Sequence, residues 1–414
     1  MFRNYFITVI AVLKRRKFFT FISLFGISFT LTVLIVLTAF VDYLVSPSYP
    51  ETKRDRSLYV FNIQEKYANS SEINKGPASF YFLNHYITKL RTPEKIAISS
   101  YTLPFNVYIN NKKNTLFIKY LNVDYFDVVD YDFLEGKPFT SAQIANGEKV
   151  AIISKDTKDL YFGEGSIAVG KYIKVGREHY RVNGVIRNVP ATMIFSYSNI
   201  ILPYTIANSN TDRSYFGSGM AILLGHSKND LEKIKNEYNQ LISKIPVESK
   251  MYNKLYSHAD TFFESLIRPA FGERSEFKES GFSSVLFSSG ILVLLFMLLP
   301  AINLMNINIS RIMERSSEIG IRKAFGASSM TLVYQFLIEN IILTLIGGLI
   351  ALIMSFVIIS IINSSGVIPN IHLLINFLVL AYCLMASFVF GLISGVYPAW
   401  RMSRLQIIDA LKTK

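Results

Sequence analysis

The sequence holds one cysteine, Cys383, so no disulfide can form within the chain and cysteine usage is silent about its redox compartment. Its five histidines, His85, His179, His226, His258 and His372, are scattered, with no close pair at metal-ligand spacing. No G-x-S-x-G nucleophile elbow and no reactive-cysteine context occurs. The run "GSIAVGK", 165–171, begins like a phosphate loop. Tyr172, however, stands where a small hydroxyl would hold magnesium, and the run leads into a strand instead of a helix. No catalytic residue, metal or cofactor is therefore assigned, and the chain is not expected to be an enzyme. There is no internal repeat or low-complexity segment, and charged residues make up only 18% of the chain.

What the chain has instead is apolar length. Half of its 414 residues are hydrophobic. Residues 18–40 form an uncharged run, about 35 Å long as a helix and enough to span the hydrocarbon core of a bilayer. Further apolar runs cover 282–302, 337–362 and 373–395. The first run is too long for a signal peptide, and no A-x-A-like cleavage site precedes "DYLVSPSYPE", so it reads as a retained anchor. Ahead of it, Phe2, Phe6, Ile10 and Leu13 share one helical face beside a basic cluster. Residues 1–17 are thus either an in-plane amphipathic helix or the first turns of a long one.

The net charge of +13 is concentrated in three places. Residues 1–17 contribute Arg3, Lys14, Arg15, Arg16 and Lys17. Residues 311–328 contribute Arg311, Arg315, Arg322 and Lys323, and the tail contributes Arg401, Arg404, Lys412 and Lys414. These thirteen basic residues face only Glu314, Glu318 and Asp409, which accounts for +10 of the +13. The loop "NSSGVIPN" has neither Lys nor Arg. The positive-inside rule then places both termini and residues 311–328 in the cytoplasm, with 46–280 outside. The basic balance reports orientation in a lipid bilayer, and no nucleic-acid partner is expected.

Residues 46–280 read as a mixed α/β domain. Strands are expected at 57–64, 115–123, 149–154, 171–175, 179–186 and 199–204, several bounded by Gly, Pro or Asn. Helices are expected at 78–90 and at 229–245, the second with Leu231, Ile234, Tyr238, Leu241, Ile242 and Ile245 on one face. The polar stretch 246–280 has little pattern and fits a helix or a stalk.

The most informative segment is "RSSEIGIRKAFGAS", 315–328, between two apolar runs. Ser316 or Ser317 can cap a helix, Glu318 and Arg322 are spaced i,i+4 in the favourable order, and Gly326 can end it. Ile321, Ala324 and Phe325 share a face. Gly320 costs about 1 kcal/mol in a helix relative to alanine, a cost compatible with close backbone approach to a partner. A plain solvated connector would explain the basic residues but not the apolar face or Gly320. A short amphipathic helix tethered to two spans has the shape to sit in a partner's groove.

The wider segment "ERSSEIGIRKAFGASSMTLVYQFLIENIILTLIGG", 314–348, resembles the permease family that includes MacB, FtsX and the lipoprotein-releasing permeases. So do "LKRRKFFTFISLFGISF" (13–29), "NVDYFDVVDYDFLEGKPF" (122–139), "IAVGKYIKV" (167–175), "YRVNGVIRNVP" (180–190) and "YPAWRMSRLQIIDALK" (397–412). One departure is Ile407, where relatives often carry proline. The resemblance implies an α-helical membrane protein with four transmembrane helices and a large α+β extracytoplasmic (periplasmic) domain between helices 1 and 2. The expected divisions are 1–45, 46–280 (MacB-like core) and 281–414 (FtsX-like permease). It further implies residence in a bacterial inner membrane, a separate ABC ATPase subunit, and a second permease copy or paralogue.

In that family the segment matching Glu318, Ile319, Gly320, Ile321, Arg322, Lys323 and Gly326 docks on the ATPase. Two functions follow from the resemblance. One is an exporter that expels a peptide, drug or lipid-linked cargo, with a periplasmic adaptor and outer-membrane channel as partners. The other is a mechanotransmitter that regulates a cell-wall hydrolase or signalling partner. Glu339, near the start of the third apolar run, matches a recurrent family acid; an ionisable group there is either functional or a structural bond to a neighbouring helix. Gly347, Ala351 and Ser355, and separately Gly391 and Gly395, form small-residue rows suited to close helix packing, within the chain or across a dimer.

Overall fold

The computed structural model describes residues 17–109, 112–207, 213–271, 280–314, 329–367, 371–378 and part of 380–392. The expected amphipathic N-terminal segment therefore lies outside the described residues, except for Lys17. The twelve strands among the described residues are β1 (Ser57–Tyr67), β2 (Ile73–Pro77), β3 (Lys95–Ser100), β4 (Leu103–Ile109), β5 (Lys112–Leu121), β6 (Phe133–Gly136), β7 (Val150–Ser154), β8 (Tyr172–Val175), β9 (Glu178–Ile186), β10 (Ile200–Pro203), β11 (Gly219–Leu224) and β12 (Tyr252–Asp260). The helices among the described residues are α1 (Lys17–Val45), α2 (Phe80–His85), α3 (Tyr125–Val128), α4 (Ser141–Ala145), α5 (Lys155–Phe162), α6 (Leu231–Ile242), α7 (Phe262–Phe271), α8 (Phe282–Glu314) and α9 (Ser329–Ser364).

The strands form one sheet in the order β12-β1-β11-β3-β5-β10-β7-β9-β6, with β2, β4 and β8 added to β1, β5 and β9. Pairing is antiparallel except for β5 with β10 and β7 with β9, which makes this an α+β unit with a mixed sheet. One core gathers Leu58, Val60 and Ile63 of β1 with Phe80, Phe82 and Leu83 of α2 and Ile234, Tyr238 and Ile242 of α6. Tyr238 completes its burial by hydrogen bonding Ser257 at 2.7 Å. A second core joins Ile118, Ile153, Val182, Val185 and Leu202 from the other half of the sheet.

All six expected strands are present with ends shifted by a residue or a few. The helix expected at 78–90 is shorter. Ser79 caps it by accepting from Phe82 N at 3.0 Å, but the α-helix ends at His85 and a 3-10 turn, Ile87–Lys89, follows. The β-branched pair Ile87-Thr88 propagates a helix weakly, and Thr88 Oγ1 donates to Asn84 O at 2.6 Å. The helix expected at 229–245 spans Leu231–Ile242, preceded by a Ser227–Asp230 capping box. The stretch left open at 246–280 holds the edge strand β12 and the helix α7. The phosphate-loop look-alike is a glycine turn, with Gly165 and Gly170 at φ 76° and 85°, leading into β8.

Two helical stretches among the described residues are long and apolar enough to cross a membrane, Thr20–Val45 and Asn340–Ser364. The expected second span lies in α8, of which Phe282–Phe296 is an apolar stretch among the described residues, and the expected fourth span falls partly outside the described residues. The chain separates into two units. One is Leu44–Val285 with Gly366–Ile371; the other holds the chain up to Tyr43, Leu286–Ser365 and the part from His372 onward.

Candidate functional site

The segment with Glu318, Ile319, Gly320, Ile321, Arg322, Lys323 and Gly326 lies outside the described residues, as do Gly391 and Gly395. Glu339 falls within α9, and its side chain lies outside the described set. The other small-residue row has a clear environment. Gly347, Ala351 and Ser355 are buried in α9, and Ile27, Leu31 and Ile35 of α1 form a cluster with Ile342, Leu343, Ala351 and Leu380. A Cβ on Gly347 would lie 2.7 Å from Ile27 Cγ2, so glycine here permits the backbones to approach. Thr32 Oγ1 sits 3.4 Å from Ala351 O and 2.7 Å from Ser28 O, satisfying its hydroxyl within its own helix.

A densely bonded polar group of the Leu44–Val285 unit follows α1 directly, in "SPSYPETKRDR". Glu51 and Arg54 are almost fully buried, with 2% of each side chain exposed, and pair at 2.8 Å. Every donor of the Arg54 guanidinium is engaged. Nε and Nη2 both reach Glu51 Oε2, at 3.1 and 2.8 Å. Nη1 donates to the carbonyls of Leu44 (2.7 Å) and Ser46 (3.1 Å), and Nη2 also meets Met193 Sδ at 3.0 Å. The planar cation lies 3.7 Å from the centre of the Phe262 ring. Glu51 uses its other oxygen to accept from Ser196 Oγ at 2.6 Å. A buried ion pair is tolerated when its remaining lone pairs and protons are filled, and this one meets that condition.

Around the pair, aromatic side chains exclude water. Phe195 packs on Tyr59 (4.4 Å between ring centres), Phe61 (5.6 Å) and Phe262 (5.5 Å). Tyr125 and Tyr131 donate to the carbonyls of Phe195 and Ser196 at 2.5 and 2.7 Å, holding the 193–197 turn in place. Burial pushes the Tyr59, Tyr125 and Tyr131 phenols well above their ordinary values, with the Glu51 carboxylate adding to the shift. On β5, Lys119 is fully buried and its Nζ has no hydrogen-bond partner among the described residues. Burial lowers its pKa to about 7, with the nearby Glu51 charge opposing that shift.

The α7 helix extends this arrangement. Asp260, at the end of β12, takes a bidentate pair from Arg268 at 2.5 and 2.6 Å. Glu264 caps the helix start by accepting from Thr261 N at 2.9 Å, and it also accepts from Ser280 Oγ at 3.4 Å. Phe263 meets Phe282, the first residue of α8, edge to face at 5.5 Å. Sequence reasoning missed this site because Glu51 and Arg54 sit in a proline-flanked, charged stretch that resembles an exposed linker. A signal was available in Lys119, placed between the inward positions Phe117 and Leu121 of a strand apolar on both faces.

Two family profiles match the chain. The MacB-like periplasmic core domain covers residues 20–241, more than half of the sequence, and the FtsX-like permease C-terminal covers 290–407. The chain belongs to the MacB/FtsX-type ABC permease family. Among its relatives is an uncharacterized ABC transporter permease, YknZ, of Bacillus subtilis, 26% identical over 70% of this chain and 68% of that protein. Another is the macrolide export ATP-binding/permease protein MacB of Pasteurella multocida, 26% identical over 69% of this chain. The match spans only 41% of that MacB. A crystal structure of the periplasmic region of MacB from Actinobacillus actinomycetemcomitans is 15% identical, covers 51% of this chain and 92% of that one, and aligns with a TM-score of 0.36. Membership of the MacB/FtsX family makes this chain a membrane protein and a permease of an ABC-type transporter.

Proposed function

We propose that the chain is the permease subunit of an ABC exporter that expels a peptide, drug or lipid-linked cargo on the outer side of a bacterial inner membrane. In this reading it crosses the membrane four times with both termini in the cytoplasm and 46–280 outside. The ATPase is a separate chain, and a second permease copy or paralogue completes the assembly, feeding an adaptor and an outer-membrane channel. The carrying observation is the FtsX-like match over 290–407, which encloses "EIGIRKAFGA" between two apolar stretches. A short amphipathic segment flanked by apolar helices suits a groove on a cytoplasmic partner.

The mechanism follows from where energy can enter. ATP is in the cytoplasm and the large domain is outside, so motion must pass through helices. Closure of the ATPase dimer displaces 315–328, the attached spans tilt as stiff rods, and the outer domain moves with them. Glu318, Ile319, Gly320, Ile321, Arg322 and Lys323 form the docking surface and Gly326 ends it.

The test is purification from native membranes with identification of what accompanies the chain. An ABC ATPase should copurify and should be lost in Gly320→Trp and in Arg322→Glu, with membrane insertion unchanged. Retention of the complex in both variants removes the docking assignment. An adaptor and channel in the same preparation favours export, whereas a cell-wall hydrolase favours the mechanotransmitter reading.

A further inference from the structure

We propose that Arg54 is the positioning residue that makes the outer domain follow the outer ends of the flanking helices. This rests on the reading above, in which helices carry the motion, and it names where that motion is handed over. Leu44 and Ser46 fold with the outer unit, at the end of the continuous helix α1. Flexible residues after a helix would let the helix move while the domain stayed behind. Here the peptide carbonyls of Leu44 and Ser46 are instead fastened to Arg54 at 2.7 and 3.1 Å.

The same guanidinium holds two other parts of the domain, the 193–197 turn, by two routes, and the start of α7. Through Glu51 it reaches Ser196, through Met193 the turn beside Phe195, and through its face the Phe262 ring that opens α7. The adjacent Phe263 touches Phe282, where α8 begins, and Glu264 holds Ser280. One cation therefore contacts the end of one apolar helix and, through one further residue pair, the start of another. All five N–H donors are used in a buried site, so pulling the Leu44 and Ser46 carbonyls off Arg54 strands a charged group away from water. A lysine could keep the charge near Glu51 but lacks the planar fork that reaches two carbonyls and a carboxylate together.

The test uses the full chain with the ATPase that copurifies, read by hydrogen exchange with and without magnesium-ATP and vanadate. Wild type should show a nucleotide-dependent exchange difference in residues 17–43 and in β1, β12 and α7. The variant is the double substitution Glu51→Gln with Arg54→Met, which removes both charges and leaves neither ion unpaired. It should keep the ATPase bound, turn over ATP and retain the difference in 17–43, while the difference in β1, β12 and α7 falls about fivefold or more. Arg54→Lys should show a partial loss, and it decides the matter if the double variant does not fold. A wild-type response of the outer strands in the double variant, or in Arg54→Lys when that variant decides, overturns the proposal. If neither region responds in the wild type, the lever reading falls and takes this proposal with it.

Discussion

The sheet-bearing unit, the outer unit in the proposed topology, and the apolar helices solve burial in opposite ways. In the outer unit the buried charges Glu51, Arg54 and Asp260 are paired, and the interior is filled by rings and branched chains from two faces of a sheet. In α1 a row of large rings points outward: Phe18, Phe21, Phe25 and Phe29 are all at least half exposed, with Phe21, Phe25 and Phe29 stacked in succession. Contact between α1 and α9 is made through Gly347 and Ala351 against Ile27 and Leu31. Water drives apolar groups inward in the first case. Lipid gives no such drive, so helices pair there by close fit and by hydroxyls that satisfy themselves on their own backbone. In each region, stability concentrates at a few contacts that the surrounding solvent would not otherwise favour.

The sharpest way to break this contrast is to remove one half of the buried pair. Arg54→Ala should destabilise the outer unit by about 3–5 kcal/mol, because Glu51 is left charged and buried, whereas the neutral double replacement should cost far less. Urea unfolding of the full chain followed by tyrosine circular dichroism measures both, and equal losses would refute the ion-pair account.

Gly347→Leu tests the other region. Overpacking against Ile27 should cost about 1–3 kcal/mol in the thermal stability of the detergent-solubilised chain while leaving the outer unit's urea midpoint unchanged. A shift of both transitions would mean that the row does not act locally.

Lys119 offers a smaller and pH-dependent effect. Its amine has a lowered pKa, about 7, in the folded chain, so between there and the ordinary lysine value the unfolded chain binds more protons. Stability therefore rises with pH across that window, by up to about 1.4 kcal/mol per unit, and the burial cost is fully present below pH 7. Lys119→Met should stabilise the outer unit at neutral pH and remove that slope. A stability curve parallel to wild type from pH 7 to pH 10 would show that the amine is not what titrates. The smallest effect belongs to the exposed pair Lys149–Glu178, where Lys149→Ala should change stability by about 0.5 kcal/mol or less.

Much of the outer unit was legible because its periodicity is strong. The face Leu231, Ile234, Tyr238 and Ile242 marks α6, and alternation marks β5, β8 and β9. Three of the six missed strands fail for identifiable reasons. "GMAILL" in β11 is buried at every position, so it has no alternation to read. "INKGP" in β2 carries glycine and proline, poor strand formers, and is extended because it pairs with β1 at 62–66. "YNKLYSHAD" in β12 is too polar to stand out, and its inward residues Leu255, Ser257 and Ala259 gain meaning only against α6. The small row in α9 was visible in sequence; that Gly347 faces Ile27 was not.

Composition, apolar run length and basic clustering determined by themselves that this chain is built around lipid, because those quantities follow from local transfer free energies and need no knowledge of partners. The motif at 314–348 placed it in its family on the same local terms. Which charges become buried, and which small residue meets which span, depended on residues far apart in sequence. Glu51 and Arg54 look like a solvated linker until Ser196, Met193 and Phe262 close over them, and only the tertiary structure brings those three together.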